Sequence, residues 1–532
     1  MPRSSAPDLR LRALARRHGL DALGVLGALV YALPSLFYPF GMDQPVHWYI
    51  GRRWLEGLVP YATGVSTKPP GVFAIHAASI LALGSHPWVV RVVDLVFVLV
   101  AGALVASFRA RDGDGHGAPP RRPGELGAAT LAVAALTYTF FDWNALGHPD
   151  LWQGALMLLS GWLVVRAPGG APSLRRALAA GAAVGAAITL KHVAVVSGAF
   201  GLVAVALAYR RGGAAAAARV GAAFAAGLAL VVALAILPFA LTGTLGPLRE
   251  VMVDWIASYA ETATAVTPSE RSWPTYERGL LPLLAAAGMA LGGLLIATRD
   301  RDRPARAAGA MALLALGCGA GAALFQLRAR LPTFSYLWLT AVPALALGIA
   351  FGLRQALARR GGAQLAVVVA LGAIAFVAEP EWLSTPRHSY RREWAMRVAV
   401  LRGALPAIEL ERRYVGPQPM VDSHPWQRDA AEWIRARARP GDTLCVDGFF
   451  ASIHHMTGLD CPSRFFVPPH AQQGALPGWH DEHAAMFAER PPTFFVTVSN
   501  REATIAARRA QGYVLHEVTR PMRFRLVVLE RR

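Results

Sequence analysis

Residues 41–70 read GMDQPVHWYIGRRWLEGLVPYATGVSTKPP, a polar, charged and aromatic stretch that lies between strongly apolar segments. An acid, Asp43, follows the first apolar segment directly, and Lys68 closes the stretch in front of two prolines. Charged groups beside a bilayer are costly to keep, so a loop of this composition indicates chemistry or binding at the membrane surface.

The composition is typical of a protein that crosses the membrane many times. Of the 532 residues, 54% are hydrophobic and 16% are charged, whereas a soluble domain carries roughly 25% charged residues. A helical crossing needs about 20 apolar residues. The sequence predicts eleven such helices, at 22–40, 87–107, 124–141, 151–165, 177–190, 193–208, 220–241, 279–298, 307–325, 335–353 and 364–378. The predicted fold class is therefore a polytopic α-helical membrane protein, with a further apolar helix at 71–84 packed near the outer face.

The net charge of +19 is distributed in a way that indicates membrane topology and argues against nucleic-acid binding. Arginines cluster before the first span and in alternate loops, which is the positive-inside pattern of cytoplasmic segments. We therefore expect a multi-pass protein of the cytoplasmic membrane with a cytoplasmic N-terminus and, after eleven crossings, an exported C-terminus. Residues 41–86 become the first outer loop, followed by outer loops at 142–150, 191–192, 242–278 and 326–334.

The chain divides into two regions of different composition. Residues 1–380 form the predicted transmembrane domain, and residues 381–532 are predicted to form a small extracytoplasmic α/β domain. Strands are predicted at 443–446, 493–498, 513–518 and 524–529, and helices at 430–439 and 502–511. Two of the three cysteines, Cys445 and Cys461, fall in this tail. An oxidising compartment permits a disulfide between them, while two separate buried thiols are the plainer alternative, and the spacing does not decide.

Two acids stand at the outer ends of predicted spans. Asp43 follows span one, where an ionised carboxylate can accept a proton from a hydroxyl nucleophile. Asp150 opens a helix after Pro149, and the helix dipole alone explains an acid in that position. An ordinary helix-end acid is an equally good explanation of Asp43 from its position. Facing one outer cavity, the two would form an acidic pair, with His148 and Asp142 as weaker candidates.

Basic residues at three places in the chain are candidates for binding a phosphate. Lys68 is held in place by the prolines that follow it, although a lysine beside a membrane often only snorkels to the interface. Lys191 sits between two apolar segments with almost no loop, where a charge is functional more often than elsewhere, although a tight-turn lysine that reaches the interface is the plainer alternative. Arg330, with Arg328, lies in an outer turn against the positive-inside pattern, and a guanidinium suits a phosphate.

Other features have plainer explanations. Arg91 and Asp94 lie three residues apart near the outer end of a span, and we expect them to pair with each other as a structural element. The aromatic residues of loop 242–278 suit either contact with a sugar or an aromatic belt at the interface. No nucleotide-binding motif occurs, and the histidines of the tail have poor spacing for a metal site.

The first outer loop resembles that of the GT-C membrane glycosyltransferases. The resemblance is carried by Asp43, by the run Tyr-x-x-x-x-x-x-Glu-Gly-x-x-Pro-Tyr from Tyr49 to Tyr61, and by Lys68-Pro69-Pro70. The most similar groups are the protein O-mannosyltransferases, the lipid A aminoarabinose transferases and the bacterial Rgt-type enzymes.

Weaker motifs follow in the same order as in that family. Residues 185–191 resemble a small-residue helix that ends on a lysine, and Asp150 resembles the acid that opens a later span. Residues 330–343 resemble an Arg…His-Tyr…Pro stretch, with Ser335 where many members have histidine. Residues 431–442 resemble the exported domain of bacterial members, so the likeness runs from about residue 20 to the end of the chain.

The resemblance implies transfer of a hexose or pentose from a polyprenyl-phosphate donor to an acceptor hydroxyl, with inversion, outside the cytoplasmic membrane. It implies no cofactor besides this lipid-linked co-substrate, although a divalent metal stays open. The implied partners are the donor, the bilayer and an envelope glycan, lipid or protein acceptor.

The resemblance also implies roles for individual residues. Asp43 would be the general base, and Asp150 would position the acceptor or that base. Fixed cations beside the departing phosphate stabilise charge that grows in the transition state. The implied phosphate-binding residues are Lys68, Lys191 and Arg330. The implied substrate contacts are Tyr61, His148 and Tyr336.

Three alternatives compete with this function. A glycan ligase or polymerase would use a lipid-diphosphate donor within the same fold. A transporter or lipid flippase is expected to show related halves and ionisable groups in the middle of the membrane, whereas the ionisable residues here lie at the outer ends of spans. A non-catalytic assembly partner would have lost its site, yet Asp43 and Lys68 are both present.

Overall fold

The computed structural model describes most of the chain, with gaps. The described residues are 6–108, 122–165, 173–195, 198–199, 201–202, 213–265, 339–356, 366–370, 390–415, 423–472, 474–518 and 525–531. Element labels below number the helices and strands within these ranges.

Helices make up the first part of the chain, and most of them are apolar. In order they are α1 (Ala6–Ala32), α2 (Gln44–Leu55), α3 (Pro70–Leu83), α4 (Trp88–Ser107), α5 (Glu125–Phe140), α6 (Pro149–Val165), α7 (Leu174–Leu190), α8 (Ala214–Leu241), α9 (Leu245–Arg249), α10 (Ile256–Ala265) and α11 (Val342–Ala356). A π-helical turn, Glu250–Trp255, joins α9 to α10. Prolines begin α3 and α6, because a residue without an amide hydrogen costs nothing in the first turn of a helix.

Three helices among the described residues are long and apolar enough to cross a bilayer: His18–Phe37, Trp88–Ser107 and Ala214–Leu241. Shorter apolar helices include Pro70–Leu83, Glu125–Phe140 and Leu339–Ala350. The predicted spans 279–298 and 307–325 lie outside the described residues, and 193–208, 335–353 and 364–378 lie partly outside them. The count of eleven therefore stays a prediction.

Glycines allow neighbouring helices to pack with their backbones in contact. A Cβ on Gly181 of α7 would lie 1.8 Å from the carbonyl oxygen of Phe224 on α8, and one on Gly24 of α1 would lie 2.3 Å from the Cα of Gly127 on α5. Small residues at such crossings are typical of membrane helices, where close van der Waals packing replaces the hydrophobic drive of water.

A buried arginine and a buried aspartate on α4 join the first and second outer loops. One terminal nitrogen of Arg91 donates to the carbonyl oxygens of Pro39 and Trp143, both at 2.9 Å, and to Gln44 Oε1 at 3.1 Å. Asp94 accepts from the Gly147 amide at 2.5 Å and, as described below, from an indole. Arg91 and Asp94 do not form the predicted direct ion pair, because both side chains bind backbone groups of loop 142–150 instead, Arg91 at the Trp143 carbonyl and Asp94 at the Gly147 amide; they remain neighbouring buried groups of opposite charge.

The tail contains the four predicted strands, β1 (Leu444–Val446), β2 (Phe494–Val498), β3 (Tyr513–Glu517) and β4 (Leu526–Arg531). They form one sheet in the order β1-β2-β4-β3, with β1 and β2 parallel and the other pairs antiparallel. Every residue of β2 is buried, as expected for a strand with a neighbour on each side.

Six helices of the tail are described. They are α12 (Tyr390–Leu401), α13 (Ala407–Glu411), α14 (His424–Arg435), α15 (Ser452–Thr457), α16 (Pro477–Glu489) and α17 (Glu502–Ala510). Helix α14 begins earlier than the predicted residue 430, because Pro425 occupies its first turn. Its buried face, Ala430, Ala431 and Ile434, packs on β1, β2 and β4 in one apolar cluster.

The tail rests directly on the first outer loop. Asp460 forms ion pairs with Arg52 and with Arg53, the latter at 2.5 Å. The Cys461 amide donates to the Tyr49 hydroxyl at 3.0 Å. Since all three loop residues lie on α2, this helix is held from the tail side as well as from α4.

We expect Arg91→Met to destabilise the protein by about 3–5 kcal/mol, because it removes one member of a buried ionic group and leaves two loop carbonyls unpaired. The measurement is the midpoint of thermal unfolding in detergent, read from the fraction of the protein that stays monodisperse after heating. The matched control is Arg249→Met, whose side chain is 77% exposed and which should behave like the wild type. Equal loss in both variants would contradict the bracing role of Arg91.

Candidate active site

The first carboxylate of the site stands at the start of α2. Asp43 is the N-cap residue of this helix, and its carbonyl accepts the amides of Val46 and His47. Its carboxylate lies 3.4 Å from the Lys68 ammonium and 4.0 Å from His148 Nδ1. The Asp43 side chain keeps 17% exposure, so it remains accessible from one side.

Lys68 is placed by backbone geometry on both sides. Pro69 has φ −65° and leads into α3 at Pro70. The Tyr61 hydroxyl donates to the Lys68 carbonyl at 2.8 Å, and Tyr61 itself is fully buried with φ +67°. A tyrosine held in the left-handed region is rare and costs energy, and such outliers cluster at functional sites. The geometry makes Tyr61 a support for Lys68, and its direct contact with substrate stays a prediction.

The second carboxylate pairs with the second lysine. Asp150 is 1% exposed in the first turn of α6, and Lys191 leaves the last turn of α7 with extended φ −155°. Lys191 Nζ lies 2.5 Å from Asp150 Oδ1, and the Thr340 hydroxyl donates to the same oxygen at 3.4 Å. The N-terminal end of α6 favours an anion, and the C-terminal end of α7 favours a cation. The two helix ends thus meet at this ion pair.

The two pairs act on each other electrostatically. Burial works to raise the pKa of Asp43, but Lys68, His148 and Lys191 together outweigh it and hold that pKa below its ordinary value. Burial works to lower the pKa of Lys68, but Asp43 and then Asp150 raise it above its usual range. Asp43 is therefore ionised and Lys68 protonated at neutral pH.

Lys191 and His148 respond mainly to burial. Burial lowers the pKa of Lys191, and Asp150 offsets only part of this change, so the net pKa lies below the ordinary value of 10.5. Burial lowers the pKa of His148 to about 4. His148 is therefore a neutral imidazole at pH 7, beside a carboxylate that is free to accept a proton.

Sequence reasoning missed two residues of the site and gave a third no specific role. Thr340 bonds Asp150 from 190 positions away, and no local motif marks it. His47 is 1% exposed on α2, with its ring 6.3 Å from that of His148. Tyr259 on α10 lies in the field of Lys68 and Asp43; only its place in an aromatic outer loop hinted at this.

Arg330 and Tyr336, like Arg328, lie outside the described residues. Within the described ranges, no group of three or more His, Cys, Asp or Glu side chains is placed to hold a metal ion.

Comparison with solved structures identifies the fold. The crystal structure of ArnT from Cupriavidus metallidurans bound to undecaprenyl phosphate matches with a TM-score of 0.58 and 17% identity, over 96% of this chain and 98% of that one. The apo structure of the same protein matches over the same shares with a TM-score of 0.57 and 17% identity. No protein-family model matches the sequence, and no curated protein matches it.

The chain therefore has the GT-C fold of membrane glycosyltransferases. This confirms the resemblance read from the first outer loop, and it confirms the class of helical membrane protein. The match extends along nearly the whole of both chains, and in this chain Asp43, Lys68, Asp150 and Lys191 lie together at the ends of helices.

If Lys191 must be protonated to act, kcat/KM should begin to fall at a lower pH than an ordinary lysine would allow, because burial lowers the Lys191 pKa below 10.5. Lys191→Arg keeps the charge at all accessible pH values and should move this alkaline limb upward. The measurement is the initial transfer rate at low donor concentration between neutral pH and pH 11. If the fall of kcat/KM at alkaline pH begins at the same pH in the arginine variant, the fall reports the titration of another group.

Proposed function

We propose that this protein is an integral membrane glycosyltransferase that moves a sugar from a polyprenyl-phosphate donor to an acceptor hydroxyl on the outer side of the cytoplasmic membrane. The observation that carries the proposal is the pair of lysine–carboxylate contacts, Asp43 with Lys68 and Asp150 with Lys191, within a GT-C fold. ArnT, which has this fold, is described as bound to undecaprenyl phosphate.

In the proposed step, the ionised Asp43 takes the proton of the acceptor hydroxyl. The hydroxyl oxygen attacks the anomeric carbon of the sugar, and the bond from that carbon to the phosphate oxygen breaks with inversion. The electron pair stays on the polyprenyl phosphate, whose growing negative charge is met by Lys68 and Lys191, with Arg330 as a further candidate. Preorganised cations at this place stabilise the transition state more than the ground state.

The ion pairs also explain how two buried cations persist before donor arrives. A buried charge without a partner is strongly destabilising, and each lysine has a carboxylate within 3.4 Å. A donor phosphate adds a second anion to each lysine without requiring either cation to be created or desolvated at that moment. When the donor phosphate comes next to Lys68, its negative charge weakens the effect of Lys68 on Asp43. The pKa of Asp43 then rises, and Asp43 becomes a stronger base.

Two alternatives differ in donor or in kind. A ligase or polymerase that uses a lipid diphosphate would present twice the phosphate charge to the same cations. A transporter would need ionisable groups in the middle of its spans. Asp43, Asp150 and Lys191 instead lie at helix ends next to outer-loop segments, which favours chemistry at one face.

We expect Asp43→Asn to lower transfer by about 10²–10⁴-fold, the usual contribution of a general base, while the protein stays folded. The assay supplies purified protein with radiolabelled undecaprenyl-phosphate hexose or pentose and a crude envelope fraction as acceptor. The control is Asp254→Asn, an acid of the same chain with 45% side-chain exposure. Equal transfer by Asp43→Asn and the wild type would remove Asp43 from the mechanism, and radiolabelled lipid-diphosphate donors test the ligase alternative.

Sidedness is tested by reporter fusions. Alkaline phosphatase, which is active only after export, should be active when fused after the tail helix Glu502–Ala510, and inactive when fused after the basic segment near residue 111. Fluorescent protein fusions at the same two points should give the opposite pattern. A cytoplasmic tail would contradict the proposed location of the reaction.

A further inference from the structure

Two cysteines of the tail are brought side by side by the backbone that carries them. The Leu444 amide donates to the Asp460 carbonyl at 2.9 Å, so the segment that follows α15 runs alongside β1. The next residues along the two segments are Cys445 and Cys461, whose sulfur atoms lie 2.7 Å apart. Both are buried, with 1% and 4% exposure.

The segment that carries Cys461 is also a part of the tail that contacts helix α2. Asp460 pairs with two arginines of α2, and the Cys461 amide binds the Tyr49 hydroxyl. The Phe466 ring stacks on Tyr49 with centroids 4.2 Å apart. A few residues on, the Val65 amide donates to the Arg464 carbonyl at 3.1 Å. The cysteine pair therefore lies at the joint between the sheet and the loop that carries Asp43 and Lys68.

We propose that Cys445 and Cys461 form a disulfide that fastens this joint. The inference rests on the proposed function only for the oxidising compartment that it implies, since disulfides form and persist outside the cytoplasm. Two residues on adjacent segments with their sulfurs in contact satisfy the proximity that a disulfide requires. The bond closes a short loop within the tail and constrains the unfolded chain.

The oxidation exchanges two thiols for one disulfide. An oxidised thiol–disulfide oxidoreductase of the envelope accepts the two electrons, and its own disulfide becomes a dithiol. One tail thiolate attacks the sulfur of that disulfide, and the second tail thiolate displaces the enzyme from the mixed disulfide. The two thiol protons of the tail end on the reduced oxidoreductase or in water, so atoms and electrons balance.

Burial indicates when the bond forms. Burial raises the pKa of the Cys445 thiol well above its ordinary value, so the thiolate that exchange requires is disfavoured once the sheet has closed. The disulfide therefore forms while the tail folds and then stays out of reach of small reductants. Its effect on the reaction is indirect, through the placement of α2, and neither cysteine touches the reacting groups.

The primary test is peptide mapping of the full-length protein purified from the membrane. The protein is denatured in N-ethylmaleimide without reductant, digested and measured by mass spectrometry. We expect a linked peptide that contains Cys445 and Cys461, while Cys318 is alkylated and serves as the internal control. Full alkylation of both tail cysteines, or a link of either one to Cys318, would overturn the proposal.

A second test measures what the bond does. The wild type should unfold at a lower temperature after reduction under mildly denaturing conditions, whereas the double variant Cys445→Ala/Cys461→Ala should be insensitive to dithiothreitol. Cys318→Ala should respond like the wild type. Identical melting of oxidised and reduced wild type would show that the joint does not depend on the bond.

Neither measurement uses sugar transfer. A linked peptide in a protein without transfer activity would therefore refute the proposed function and leave the disulfide standing, whereas free thiols in an active transferase would do the reverse. If the double variant does not fold, the peptide map of the wild type still decides.

Discussion

The geometry of the site depends on one buried cation. Arg91 is fully buried, and it collects carbonyl oxygens from the segment before Asp43 and from the second outer loop. Its neighbour Asp94 holds the amide of Gly147 and the indole of Trp152. Asp150 lies between those last two positions. A single turn of α4 thus fixes the distance between the chain segments that carry Asp43 and Asp150. The lysines contact these two acids within that arrangement.

The site also follows a simple electrostatic rule of helices. Its acids lie at helix starts and Lys191 at a helix end, where the backbone favours those charges before any substrate is considered. The pairing of each acid with a lysine then offsets part of the desolvation cost of burying four charges. The two lysines remain partly exposed, at 13% and 12% of their side chains, so an anion can still approach them.

The sequence indicated the fold family, and it singled out four charged residues that the structure brings together, while their roles in a reaction stay predictions. Local signals were sufficient for Asp43, Lys68, Asp150 and Lys191, since helix starts, prolines and abrupt charges between apolar runs are short-range features. The strands of the tail were also visible, with ends off by one or two residues. Contacts between distant segments were not: Thr340 meets Asp150 across 190 positions, and Arg91 proved to serve two loops rather than its neighbour Asp94. Such partners depend on how helices cross, which no local pattern encodes.

The amide of Gln44 limits the acid chemistry open to the site. Its nitrogen donates to the carbonyls of Asn144 and Leu146, and its oxygen accepts from the Gly41 amide and from Arg91. A glutamate there would set a carboxylate against two carbonyl oxygens, so this position cannot supply a second acid without breaking the loop junction. Asp43 consequently has no carboxyl at the next position of the chain with which to share a proton, and in the proposed reaction it would act as a single base rather than as half of an aspartic dyad.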